Sequence, residues 1–493
     1  MKMLAPFVAP LALIAVFVAA PSSAVSPPQT SGSQSDASMG WEKLTKGDVE
    51  AAYQLLRDNH PAATQDAHDP SFIANLDRAY HRALSRAEVV RSMDGYTATL
   101  REFANSMGDG HIWSNPEFSR ETMSWAGVIA ARRGPDWIVA GEDKELVGTD
   151  ILGARIVACD GEPIAEVAQN VMHFRSVTGD EAVQIMRAGR LLLDDGNPFL
   201  SRPKTCDFEQ GGIIKSIRLN WQETSRGDLQ KTYWKSAFGA AGFGLRPVAG
   251  GYWISIEALE PNAQPVIDQA SSEAVSLRNA AYVVIDLRGN SGGDDAYGRK
   301  LADALYGPAY VESRLGPAAS DCASVFRASP QNIDAVRKQI PVFQASGDTA
   351  AASEYTQALQ TMEFSISKGA ALTGSITCTA VAKTPSITAR SLMHAPVFIL
   401  SDVSCFSSCI NAVGSFRKLG AVQIGQITGS DTHYAEVREV LLPSGLSTFS
   451  TLMALMPDAP AHIGPFVPSI SYDGDISDTS ALEAWIPAHA LLH

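Results

Sequence analysis

Three segments of this chain carry residue types that could cooperate in nucleophilic chemistry on a carbonyl. The first is Val283-Val284-Ile285-Asp286-Leu287-Arg288-Gly289-Asn290-Ser291-Gly292-Gly293, an apolar run that ends in a glycine-rich turn. Glycine lets backbone N–H groups approach a ligand closely, and such donors can stabilise a developing oxyanion. The second is Ser401-Asp402-Val403-Ser404-Cys405-Phe406-Ser407-Ser408-Cys409, which follows the apolar run Pro396 to Leu400 and offers several hydroxyls. A serine hydroxyl is a poor nucleophile at neutral pH and needs a base within hydrogen-bond reach. The third, Gly108-Asp109-Gly110-His111-Ile112, supplies a histidine, whose ordinary pKa near 6.5 suits general-base work.

An apolar strand followed by D-L-R-G-N-x-G-G is similar to the signature of the tail-specific (C-terminal processing) serine peptidases. In that family a second strand ends in a serine-containing turn, followed by a helix and a strand ending in Gly-Glu-x-Thr-Gly. Here Val422-Gln423-Ile424-Gly425-Gln426-Ile427-Thr428-Gly429 stands in that last place. The resemblance implies Ser407 as nucleophile, with Ser404 and Ser408 as alternatives, and the N–H of Ser408 with that of Gly292 or Gly293 as oxyanion donors. Two acidic positions of the family are Ile410 and Gln426 here. Of the family's two branches, one uses a lysine some two dozen residues after the serine. The one lysine after Ser407 is Lys418, within the expected helix, and the family's position falls near Asp431. The other branch, of the tricorn-core type, takes a histidine from a D-G-H-T turn, which His111 matches. That branch also uses a C-terminal carboxylate, and His462 occupies its place; Asp431, Glu436 or Asp109 could orient the base instead. A catalytically weak relative that binds peptides or small ligands is the alternative reading, kept open by the lost acids. No cofactor or metal is implied, and no G-x-S-x-G elbow surrounds Ser407.

The elements that must position these residues are α/β within a multidomain α+β chain. Tyr252 to Ile256, Ala281 to Leu287, Pro396 to Leu400 and Val422 to Gly425 read as strands, and their continuous apolar character implies a sheet covered by helices on both faces. Ala263 to Leu277 and Tyr297 to Leu305 read as helices between them. This core is expected over 201–493, interrupted by an insertion at about 313–390 with a helix near 349–363. Ahead of it, 41–118 reads as a helical domain and 119–200 as a β-rich module. In that module the run from Leu152 to Ile164, with its Asp160-Gly161 turn, resembles the end of a PDZ-type module.

Lys2, the apolar stretch Leu4 to Ala20 and Ser22-Ser23-Ala24 read as a secretory signal over 1–24, followed by a disordered linker over 25–40. The expectation is an exported protein, periplasmic or secreted, without stable membrane insertion. A formal charge of -14 argues against nucleic acid as a partner and leaves a polypeptide or peptide substrate. The six cysteines suit disulfides in an exported chain, with Cys322 and Cys378 the first pair to expect. Cys405 and Cys409 read as small buried side chains packing the serine turn.

Overall fold

The computed structural model describes residues 34–489, except 68, 119, 176, 178–179, 230–238, 318–323, 376–388 and 458. The signal segment and the Cys322–Cys378 pair lie outside the described residues. No helix among the described residues is long and apolar enough to cross a membrane.

The core is a six-stranded sheet in the order Phe243–Val248, Gly251–Ile256, Val283–Asp286, Val397–Ser401, Val422–Gly425 and Ile470–Ser471. The first strand is antiparallel to the second and the others run parallel. Burial on both faces explains the unbroken apolar strands. Val283 and Ile285 pack against the helices Gln264–Ser272, Asp295–Tyr306 and Ser408–Lys418, while Val284 packs on the opposite face against Leu482 and Ile486 of Thr479–His489. Since Val283–Asp286 and Val397–Ser401 are parallel neighbours, the turns that follow them emerge side by side at one end of the sheet. That is where open α/β sheets place their ligands.

Two residues of the glycine-turn motif are structural. The Arg288 guanidinium donates from Nε to Asp286 Oδ1 at 2.9 Å and from an Nη to Asp286 Oδ2 at 2.7 Å, and both side chains are fully buried. Asp286 also accepts from Trp253 Nε1 at 3.0 Å, and Arg288 donates to the Ile476 carbonyl at 2.7 Å and to Thr479 Oγ1 at 2.9 Å. This network ties the approach to the C-terminal helix to the end of the central strand.

The domain borders differ from the sequence-based ones. The β-rich module is an antiparallel sheet in the order Val128–Arg133, Asp136–Glu142, Arg155–Cys159, Thr205–Gln210 and Ile213–Arg218, so it runs past residue 200. Its last two strands are brought in by the Arg155–Cys159 ladder and by a Cys159–Cys206 disulfide. Asp160 and Gly161, with φ of 50° and 82°, make the expected tight turn.

The helices Gln34–Asn59, Pro70–Ala87 and Met93–Asn105 do not close a core alone. They share one with Tyr434, Phe449, Leu452 and Leu455 of the long hairpin Tyr434–Leu441 and Ser447–Leu455. The first of these helices starts at Gln34, inside the stretch read as linker. The insertion contains the helix Thr349–Ser367 and a second, Pro330–Ser346, which packs through Ile333 and Val336 onto Met453 of the same hairpin.

A buried charge left without its partner costs about 3–5 kcal/mol, whereas an exposed pair contributes no more than about 1 kcal/mol. Arg288→Ala should therefore lower stability in urea unfolding by several times more than Arg337→Ala, which breaks the exposed Arg337–Glu363 pair. Equal effects would refute the anchoring role of Arg288.

Candidate active site

The serine turn and the glycine turn meet at the end of the sheet. Ser407 has φ 54° and ψ -130°, a backbone state that non-glycine residues rarely adopt and that costs of order 1–3 kcal/mol. It is followed at once by the helix Ser408–Lys418. Cys405 and Cys409 are joined in a disulfide across this turn rather than packing as free thiols. Of the three candidate hydroxyls, Ser404 Oγ donates to Asp402 Oδ1 at 2.5 Å and Ser408 Oγ donates to the Gly293 carbonyl at 2.7 Å. The Ser407 hydroxyl is half-buried and makes no hydrogen bond among the described residues.

Gly292 lies against the serine turn so closely that a Cβ on it would stand 2.8 Å from Ser407 Cβ and 3.0 Å from the Phe406 carbonyl oxygen. Its φ of 116° also excludes other residues. The Gly292 N–H donates to Asn290 Oδ1 at 2.9 Å, so that donor is engaged. Among the described residues the Gly293 N–H has no backbone acceptor outside the regular elements, and the Gly293 carbonyl faces Ser408. The Ser408 N–H is the first of the helix Ser408–Lys418, where an N–H lacks an intrahelical partner.

Asp402 joins the two turns. Its carboxylate accepts from the N–H groups of Ser404 at 3.0 Å, Gly239 at 3.0 Å and Gly289 at 3.2 Å. Burial drives its pKa up, against these hydrogen bonds, to about 6.

His111 arrives from the helical region. A Cβ on Gly110 would stand 2.5 Å from the Phe406 ring, so only glycine lets this loop lie against the residue before Ser407. The His111 imidazole packs on that ring with centroids 4.7 Å apart. Its Nδ1 lies 3.2 Å from Asp431 Oδ1 and 3.4 Å from Asp109 Oδ1. Burial alone would favour the neutral ring, but the two carboxylates outweigh it and raise the pKa from 6.5 to about 10. Burial likewise would raise Asp109, yet its hydrogen bonds with His111 and Thr432 hold it below the usual carboxylate value.

The four candidate orienting residues are thus separated by the fold. Asp109 and Asp431 flank His111. Glu436, at φ 62°, instead accepts from the Tyr355 hydroxyl of the insertion helix, and burial raises its pKa. His462 pairs by its backbone with Thr432, and it lines a cavity of about 1140 Å³ together with Asp295, Ile410 and Asn411. Asp402 is the residue that motif reading left without a role; its place directly after a buried strand and before the serine turn was the available signal.

Residues 251–458 match the family model for Peptidase family S41. That match spans less than half of the chain and supports a serine-type peptidase. The S41 segment takes in the glycine turn and Ser407 but not His111, which the helical region supplies from outside it. The fold is similar to mature CPAF complexed with lactacystin (14% identity over 90% of this chain and 98% of that one, TM-score 0.61) and to mature CPAF alone (13% identity, 90% and 96%, TM-score 0.56). At these identities the likeness is one of fold. No curated protein matches the chain in sequence.

The charge arrangement sets a pH dependence. A histidine whose pKa is raised is cationic below that value and becomes a free base only above it. With His111 as the base, the rate of hydrolysis should rise with pH through a limb whose apparent pKa lies well above 6.5. Asp431→Asn removes one anionic neighbour and should move that limb to lower pH. An unshifted limb in Asp431→Asn would show that this carboxylate does not act on the group that sets the limb.

Proposed function

We propose that the chain is an exported serine peptidase that cleaves polypeptides through an acyl-enzyme on Ser407, with His111 as general base. The observation that carries this reading is the packing of the His111 ring on Phe406, the residue before a strained, unengaged Ser407. The base removes the hydroxyl proton as Oγ attacks the scissile carbonyl. The N–H groups of Ser408 and Gly293 receive the oxyanion, and the protonated ring returns its proton to the leaving amine. A water then repeats the sequence to release the acyl group. Asp431 is the residue we assign to hold the ring, in place of the carboxylate lost at His462. Export rests on the signal-like segment at 1–24.

A peptide- or ligand-binding protein with little turnover is the second reading, favoured by the raised pKa of His111, which withholds the base near neutrality.

A fluorophosphonate probe distinguishes the two. Labelling of the wild type should map to Ser407 by mass spectrometry, vanish in Ser407→Ala and fall by roughly a hundredfold or more in rate in His111→Ala. No labelling of a folded wild type at pH 7 or at pH 9 would sink the enzyme mechanism in favour of binding. Labelling that persists in Ser407→Ala would move the nucleophile elsewhere.

A further inference from the structure

Asp431 reaches His111 from a short segment, 428–432, that leaves the core sheet after the strand Val422–Gly425. The residues leading to Asp431 are tied to different neighbours. The Thr428 N–H donates to the Phe466 carbonyl at 3.1 Å, and the Gly429 N–H donates to the Cys405 carbonyl at 2.9 Å, which fixes the start of the segment to the serine turn. Ser430 is held from elsewhere. Its N–H at 3.0 Å and its hydroxyl at 2.7 Å both donate to Oδ2 of Asp180, 250 residues earlier in the chain.

Asp180 belongs to the β-rich module. It caps the helix Glu181–Arg187 by accepting the Val183 N–H on Oδ1 at 3.0 Å, and the chain then runs on through Ala188 and Leu191 into the core of that module. Capping needs one oxygen, and serine or asparagine supplies it as well as aspartate does. Here the carboxylate is buried, 6% exposed, which is costly unless donors surround it, and its second oxygen is turned wholly onto Ser430. Two donors of one residue on a single acceptor set both the peptide plane and the side-chain rotamer of Ser430. They thereby set the point from which the next residue, Asp431, projects to bring its Oδ1 within 3.2 Å of His111 Nδ1.

Given His111 as the base and Asp431 as its orienting acid, the reading on which this rests, we infer that Asp180 is a positioning residue of the peptidase centre. It acts through Ser430, holding Asp431 against the imidazole, and it makes the β-rich module part of the machinery that aims the base. Its own charge is spent on Val183 and Ser430, so its effect on the ring passes through the placement of Asp431. Misplacing a group by about 1 Å can cost roughly a hundredfold in rate, so a brace two residues removed from the reacting atoms has a measurable consequence.

Titration of the His111 ring by NMR in the full protein tests this without relying on turnover. The midpoint should fall in Asp180→Ala, as in Asp431→Asn, and the double variant should fall no further than Asp431→Asn alone, because both changes remove the same contact. Asp143→Ala, which removes the cap of Lys144–Val147 in the same module, should leave the midpoint in place. On the plateau above the pH limb, fluorophosphonate labelling of Ser407 should slow by roughly tenfold in Asp180→Ala. Should Asp180→Ala fail to fold, Ser430→Ala, which removes the hydroxyl donor alone, should move the midpoint in the same direction. An unmoved midpoint in a folded Asp180 or Ser430 variant, or shifts that add in the double variant, would overturn the positioning role. An unmoved midpoint in Asp431→Asn itself would remove the orienting acid and the inference with it, whereas a wild type that takes no label but shows the ring shifts would refute the peptidase mechanism and leave Asp180 in its place.

Discussion

The buried carboxylate of Asp402 fixes the two halves of the peptidase centre to each other. It follows Val397–Ser401 directly, so it belongs to the strand that leads to Ser407, yet it accepts from Gly289 in the neighbouring turn and from Gly239 in the loop beside it. A carboxylate is costly to bury unless donors surround it, and here four do. Each donor that satisfies Asp402 is also held by it, so the serine turn cannot shift without breaking bonds to the glycine turn. Oxyanion stabilisation depends on donors that are already in place when charge develops. The strain at Ser407 is tolerable for the same reason: the turn is over-determined by Asp402, by the Cys405–Cys409 disulfide and by the contact with Gly292.

Much of this core was legible in the sequence because its signals are local. Val283–Asp286, Val397–Ser401 and Val422–Gly425 are buried on both faces, which writes them as unbroken apolar runs, and the glycine turn shows its need for unusual φ directly in its residue types. Where strands are half-exposed or paired across distance, local signals fail. Thr205–Gln210 reads as part of the following domain until the Cys159–Cys206 bond and its ladder place it in the β module. Likewise the helical region looked self-sufficient, because nothing near residues 41–118 announces that Phe449 and Leu452 complete its core.

The site residues divide in the same way. The Asp109-Gly110-His111 turn is a local signal that sequence can display, whereas the acid beside the ring could only be narrowed to four candidates. The choice among them is a tertiary fact. Asp431 and His462 sit on facing strands, Asp431 opposite Ile463 and Thr432 opposite His462, so the carboxylate beside the ring lies one step along from His462 on the partner strand. Glu436 is only five residues further along the chain, but the hairpin carries it to Tyr355 and the insertion.

Two carboxylates at one imidazole are not equivalent. Asp109 Oδ1 accepts the His111 backbone N–H at 2.7 Å and its Oδ2 accepts from Thr432 Oγ1 at 2.6 Å, so both oxygens hold the loop in shape. Asp431 Oδ1 takes the Thr432 N–H at 2.7 Å, and its Oδ2 has no hydrogen bond among the described residues. More of the Asp431 charge is therefore available to the ring, in keeping with the orienting role proposed for it, while Asp109 braces the turn. Only interactions that strengthen as the imidazolium forms accelerate the reaction. By engaging Asp109 elsewhere, the His111 N–H and Thr432 Oγ1 limit how far the two carboxylates together raise the pKa of the ring.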